Sequence, residues 1–83
     1  MDFKDFIKLC EVVVKMADNA QATDYVNITE IIEECEKVGL TIEDYDYGKV
    51  LQMYGNTLAQ RGKFPKTWIY DASGLSIHKE FNA

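Results

Sequence analysis

The sequence predicts an α+β domain, three helices followed by a two-stranded β-hairpin, with residues 1–83 forming a single unit. Three observations carry that expectation. Apolar residues recur at helical spacing in three separate blocks before Gly62. The period then changes to two, in two runs at residues 66–70 and 75–81. Finally, 83 residues with 47% apolar content and one proline leave room for one hydrophobic core and no second. No apolar run approaches the roughly 20 residues of a membrane span. Asp2 and Asp5 stand where a secretory leader would carry basic residues. A soluble chain in the reducing cytoplasm is the resulting expectation.

The first helix is expected over residues 2–18, with Asp2 able to cap its free N–H groups. Phe3, Phe6, Ile7, Cys10, Val13, Val14 and Ala17 mark its apolar face. Residues 19–24 are small and polar and read as a loop, leading into a short extended Tyr25-Val26. Asn27 then caps the second helix. Glu30 three positions later completes a capping box, and Val26 with Ile31 forms a hydrophobic staple across the cap. The apolar stripe of this helix is Ile28, Ile31, Ile32, Cys35 and Val38, and Gly39 supplies the left-handed residue that ends it. Residues 41–44 make a polar turn. Asp46 is placed to cap the third helix, stapled by Tyr45 and Val50, and Gly62 stops that helix after Arg61.

Beyond Gly62, residues 66–70 alternate, Asp71-Ala72-Ser73-Gly74 reads as a turn, and residues 75–81 alternate again, which together predict the hairpin. Pro65 sits at the mouth of its first strand, where a missing N–H does least harm. The core is expected from Phe6, Cys10, Val13, Ile31, Ile32, Cys35, Leu51, Tyr54 and Leu58.

The net charge of −5 hides an asymmetry. Residues 1–46 hold twelve Asp or Glu against four Lys, a balance of −8, whereas residues 47–83 hold five Lys or Arg against two acids, a balance of +3. Between Tyr47 and Tyr70 no acid occurs, while Lys49, Arg61, Lys63 and Lys66 all fall there. On the third helix, Tyr47, Leu51, Tyr54 and Leu58 share the core arc, and the opposite arc holds Lys49, Gln52, Met53, Asn56 and Gln60. Amides and amines without a carboxylate are the side chains that pair with base edges. An ordinary solvated face mixes Glu with Lys, as the first two helices do here.

Chemistry for catalysis is scarce. His78 has no nucleophile near it in sequence and reads as a surface residue of the hairpin. Glu33, Glu34 and Glu36 are spaced for solvent, and the five glycines are scattered along the chain and form no phosphate loop. Cys10 and Cys35, 25 positions apart on apolar faces, read as buried thiols, since a redox or zinc site needs closer partners. The chain is therefore expected to be no enzyme and to use no metal or cofactor. Trp68 and Tyr70, on one strand face with Lys66, can stack on bases, dock on a partner or belong to the core.

The order helix, short extended segment, helix, helix, hairpin, with N-I-T-E-I-I opening the second helix and L-A-Q-R-G-K-F leading into W-I-Y-D-A-S-G-L-S-I, resembles the winged helix-turn-helix superfamily over residues 3–82. The part from Asp46 through the hairpin also looks like the small winged-helix units of phage and plasmid proteins. This resemblance implies that the third helix enters the major groove and the hairpin touches flanking backbone. It places Lys49, Gln52, Asn56 and Gln60 at base-reading positions and makes Arg61, Lys63, Lys66 and Lys79 phosphate contacts.

Two functions follow as expectations. The first is a small DNA-binding transcriptional regulator of phage or mobile-element type. The second is a protein-interaction module on the same scaffold, a phage-type modulator of host machinery, anchored through Met53, Trp68 and Tyr70. The charge map of the third helix favours the first, while the net acidity and a wing turn bearing Asp71 with no Arg or Lys favour the second. Leu9 and Val12 widen the apolar arc of the first helix beyond the core stripe, which points equally to a homodimer through that helix or to an ordinary wide core face.

Overall fold

A computed structural model describes residues 1–21 and 25–64, together with the backbone of 67–69. Three helices appear, close to where periodicity places them: α1 (Phe3–Asn19), α2 (Ile28–Lys37) and α3 (Tyr47–Gln60). Each pair of helices is in contact. Two short strands, β1 (Tyr25–Asn27) and β2 (Thr67–Ile69), pair in parallel with Val26 opposite Trp68. The strand expected at 66–70 is thus present as β2, and its partner among the described residues is β1. The turn at 71–74 and the second hairpin strand at 75–81 lie outside the described residues. No helix among the described residues is long and apolar enough to cross a membrane.

Local chemistry sets the helix ends. Asp2 Oδ1 accepts the Asp5 amide at 2.8 Å, and Asn27 Oδ1 accepts the Thr29 amide at 2.9 Å. Glu30, expected to reach back to the cap, is exposed. The C-termini of α2 and α3 use a left-handed glycine, Gly39 at φ +77 and Gly62 at φ +72. In each case the next residue's amide folds back onto a carbonyl of the last turn, Leu40 onto Cys35 and Lys63 onto Leu58, both at 2.9 Å. The start of α3 departs from expectation. A 3₁₀ turn (Asp44–Asp46) runs directly into the helix, so Asp46 is already helical at φ −96, ψ −7 and makes no side-chain cap, and Tyr45 is 78% exposed and staples nothing. The extended conformation an N-cap needs is lost to the continuous turn.

The core gathers Leu9, Val12, Val13 and Ala17 of α1, Val26 of β1, Ile28, Ile31 and Cys35 of α2, and Val50, Leu51, Tyr54 and Leu58 of α3. Leu40 and Ile42, from the α2–α3 connection, are also part of it. Six of the nine expected core residues are buried: Val13, Ile31, Cys35, Leu51, Tyr54 and Leu58. Ile32 and Cys10 are half-buried, and Phe6 is exposed. The error on α1 is one of rotation. Its buried stripe is Leu9, Val12, Val13 and Ala17 with Met16 half-buried beside it, an i, i+3, i+4, i+7, i+8 pattern. Leu9 and Val12, expected to serve either a dimer or a wide core face, belong to the core. Val38, expected in the α2 stripe, is exposed because the helix ends before it.

Candidate nucleic-acid interface

On α3 the expected division into two faces is present. Leu51, Tyr54 and Leu58 are buried, Tyr47 packs against them from the edge, and Lys49, Gln52, Asn56 and Gln60 are all exposed. At 100° per residue these four polar side chains lie within an arc of about 80°. They form a continuous row along the helix with no carboxylate in it. Met53, at the margin of the row, is half-buried against the core. Thr57 also lies half-buried, its hydroxyl donating to the Met53 carbonyl at 2.7 Å.

Two of the expected phosphate contacts have structural partners. The Arg61 guanidinium donates through Nε to the Asp18 carboxylate and through Nη1 to the Thr57 carbonyl at 3.1 Å. Lys63 Nζ donates to the carbonyls of Ala17 at 2.8 Å and Asp18 at 3.2 Å. α1 has no basic residue in its own last turn. Lys63 and Arg61 supply that charge from across the fold, where exposed carbonyls and the helix dipole favour a cation. Lys49 is thus the cation that stands on the α3 row itself. Lys66, Tyr70 and Lys79 lie outside the described residues, and Trp68 is placed only by its backbone in β2.

Negative charge gathers at the other end of α3, where Glu43 and Asp44 are exposed and Asp46 is half-buried. These acids suit the helix N-terminus, but they repel phosphate at the end that a recognition helix usually presents to the groove.

Two clefts adjoin these surfaces. One, of about 280 Å³, lies between the N-terminal ends of α1 and α3, with Phe6, Leu9, Val50 and Met53 along its walls and Asp46 and Lys49 at its rim. The larger, about 610 Å³, runs between the C-terminal half of α1 and the acidic face of α2, lined by Lys15, Tyr25, Glu30, Glu33 and Tyr54 among others. Burial, with a smaller contribution from Glu30, raises the Tyr54 phenol above its usual value. Burial likewise raises the Cys35 thiol to about 11, with Glu34 adding to the effect. A thiol so disfavoured as thiolate is a packing group, not a nucleophile. No group of three or more metal-ligating side chains converges among the described residues.

Sequence reasoning found the α3 row because its signal is local: a 3.6-residue period and the absence of acids. It missed the anchoring of Arg61 and Lys63, whose partners lie more than 40 positions away. No family model, curated protein or solved structure matches this chain.

Proposed function

We propose that this chain is a small winged-helix DNA-binding protein, a regulator of phage or mobile-element type, that reads the major groove with α3 and needs no cofactor or catalytic group. The observation that supports the reading is the exposed, carboxylate-free row Lys49, Gln52, Asn56 and Gln60 on one face of α3. Gln and Asn offer the paired donor and acceptor that match adenine, and Lys offers donors to guanine. Reading is assigned to this row, and backbone positioning to Lys66 and Lys79. Arg61 and Lys63 contribute mainly by holding α3 against α1.

A salt-dependent titration with duplex DNA tests the reading. Log K should fall linearly with log salt. Gln52→Ala or Asn56→Ala should cost about 1–3 kcal/mol on the preferred site and flatten sequence preference, while Lys66→Ala should weaken all sequences alike and lower the salt slope by about one. Absence of binding at low salt would reject the DNA assignment.

A second reading, a protein-interaction module, is favoured by two observations. Arg61 and Lys63 are committed to α1, and an apolar cleft lined in part by Met53 borders the polar row. On this reading, binding is nearly independent of salt and Met53→Ala is the costliest change on α3, because a well-packed apolar anchor carries most of such an interface.

A further inference from the structure

The rotation of α1 leaves a second apolar stripe in water. Phe3 is 76% exposed, Ile7 and Val14 are each 41% exposed, and Cys10 between them is half-buried. Their spacing of four, three and four residues is the a/d repeat of a helix–helix seam, about 17 Å long. The stripe is also symmetric about its midpoint between Lys8 and Leu9. When an identical helix is laid antiparallel across it, Phe3 meets Val14 of the second copy and Ile7 meets Cys10 of the second copy. Each layer then sets a large side chain against a small one, as interdigitation needs. One flank of the stripe carries Lys4 and Glu11, both exposed and seven positions apart. In an antiparallel two-fold pair the same flank faces itself, so Lys4 comes opposite Glu11 of the second copy, twice. A parallel pairing stacks Phe3 on Phe3 and gains no such charge match.

We propose that α1 is a self-association surface and that its occupant is a second copy of this chain, packed antiparallel through Phe3, Ile7, Cys10 and Val14 and registered by two Lys4–Glu11 pairs. The seam is isologous and closed, so it gives a dimer and not a filament. A seam of this length falls short of the roughly 800 Å² per partner of a standard interface, and the dimer is accordingly micromolar. The inference stands independently of the DNA reading.

Sedimentation of the full chain over a micromolar concentration range, together with directed cross-linking, tests it. Dimer should form in the micromolar range. Lys4→Glu should raise the dissociation constant by about tenfold through like-charge contact with Glu11, and the double variant K4E/E11K should restore it. In a Cys10→Ala background, an oxidised mixture of Phe3→Cys and Val14→Cys chains should trap the mixed pair, with neither chain cross-linking to itself. A chain that stays monomeric at high micromolar concentration would overturn the proposal and leave the stripe to a different occupant. Self-cross-linking of Phe3→Cys, or failure of the charge swap to restore association, would overturn the antiparallel register.

Discussion

α1 and α3 have the same kind of helix pattern but differ in how far that pattern decides which face is buried. α3 presents one apolar arc, Leu51, Tyr54 and Leu58, opposite an arc of amides and an amine, so only one rotation puts grease inside. α1 presents two adjoining apolar stripes, one built on Leu9, Val12 and Val13 and the other on Phe3, Ile7 and Val14. Two shorter helices cannot cover both. A wide apolar arc tells that a helix is buried somewhere, and a narrow one tells which side.

The largest expected effect separates the two helices outright. Leu51→Ala, at a side chain with 0% exposure, should cost about 2–5 kcal/mol in urea unfolding of the monomer. Phe3→Ala should stay within about 0.5 kcal/mol at a concentration where no dimer forms. Equal losses at the two positions would mean that the exposed stripe of α1 is covered within the monomer.

Next in size is a pH effect from the α2 layer of the core. The Cys35 thiol is held near 11 in the fold against 9.0 for the free group. The native state therefore favours the protonated form. That contribution is fully present below pH 9 and is lost as pH rises from 9 to 11, by about 3 kcal/mol at most. Cys35→Ala should flatten the decline in this window, leaving the part due to Tyr54, whose phenol is raised in the same direction. An unchanged slope in the variant would remove Cys35 from the explanation.

The link between the two helices can be cut at Lys63. Its ammonium joins the end of α3 to the Ala17 and Asp18 carbonyls at the end of α1. Lys63→Ala should destabilise the fold by about 1 kcal/mol, whereas Lys49→Ala, on the exposed row, should change stability by less than about 0.5 kcal/mol. If the two lysines behave alike in thermal unfolding, the anchoring role fails.

Smallest is the contrast between caps. Asn27→Ala removes the bond to the Thr29 amide and should cost about 1 kcal/mol. Asp46→Ala, at a cap position whose side chain makes no capping bond, should cost only the loss of a favourable charge, about 0.3–1 kcal/mol at low salt, and that cost should fade as salt is added. Chemical denaturation at two ionic strengths tells them apart.

By itself the sequence determined the number, order and approximate ends of the helices. Those are set by short-range physics: the bond from Asp2 to the Asp5 amide, the cap at Asn27, the left-handed turns at Gly39 and Gly62, and the period of Leu51, Tyr54 and Leu58. It also determined the polar row on α3, since both the 3.6-residue spacing and the absence of carboxylates are visible along the chain. Only the tertiary structure decided which stripe of α1 is buried, that β1 takes β2 as a parallel partner, and that Arg61 and Lys63 serve the end of α1. Each of these is a choice among partners far apart in sequence. Such choices turn on which surfaces can be covered at once in three dimensions, and no local spacing encodes that.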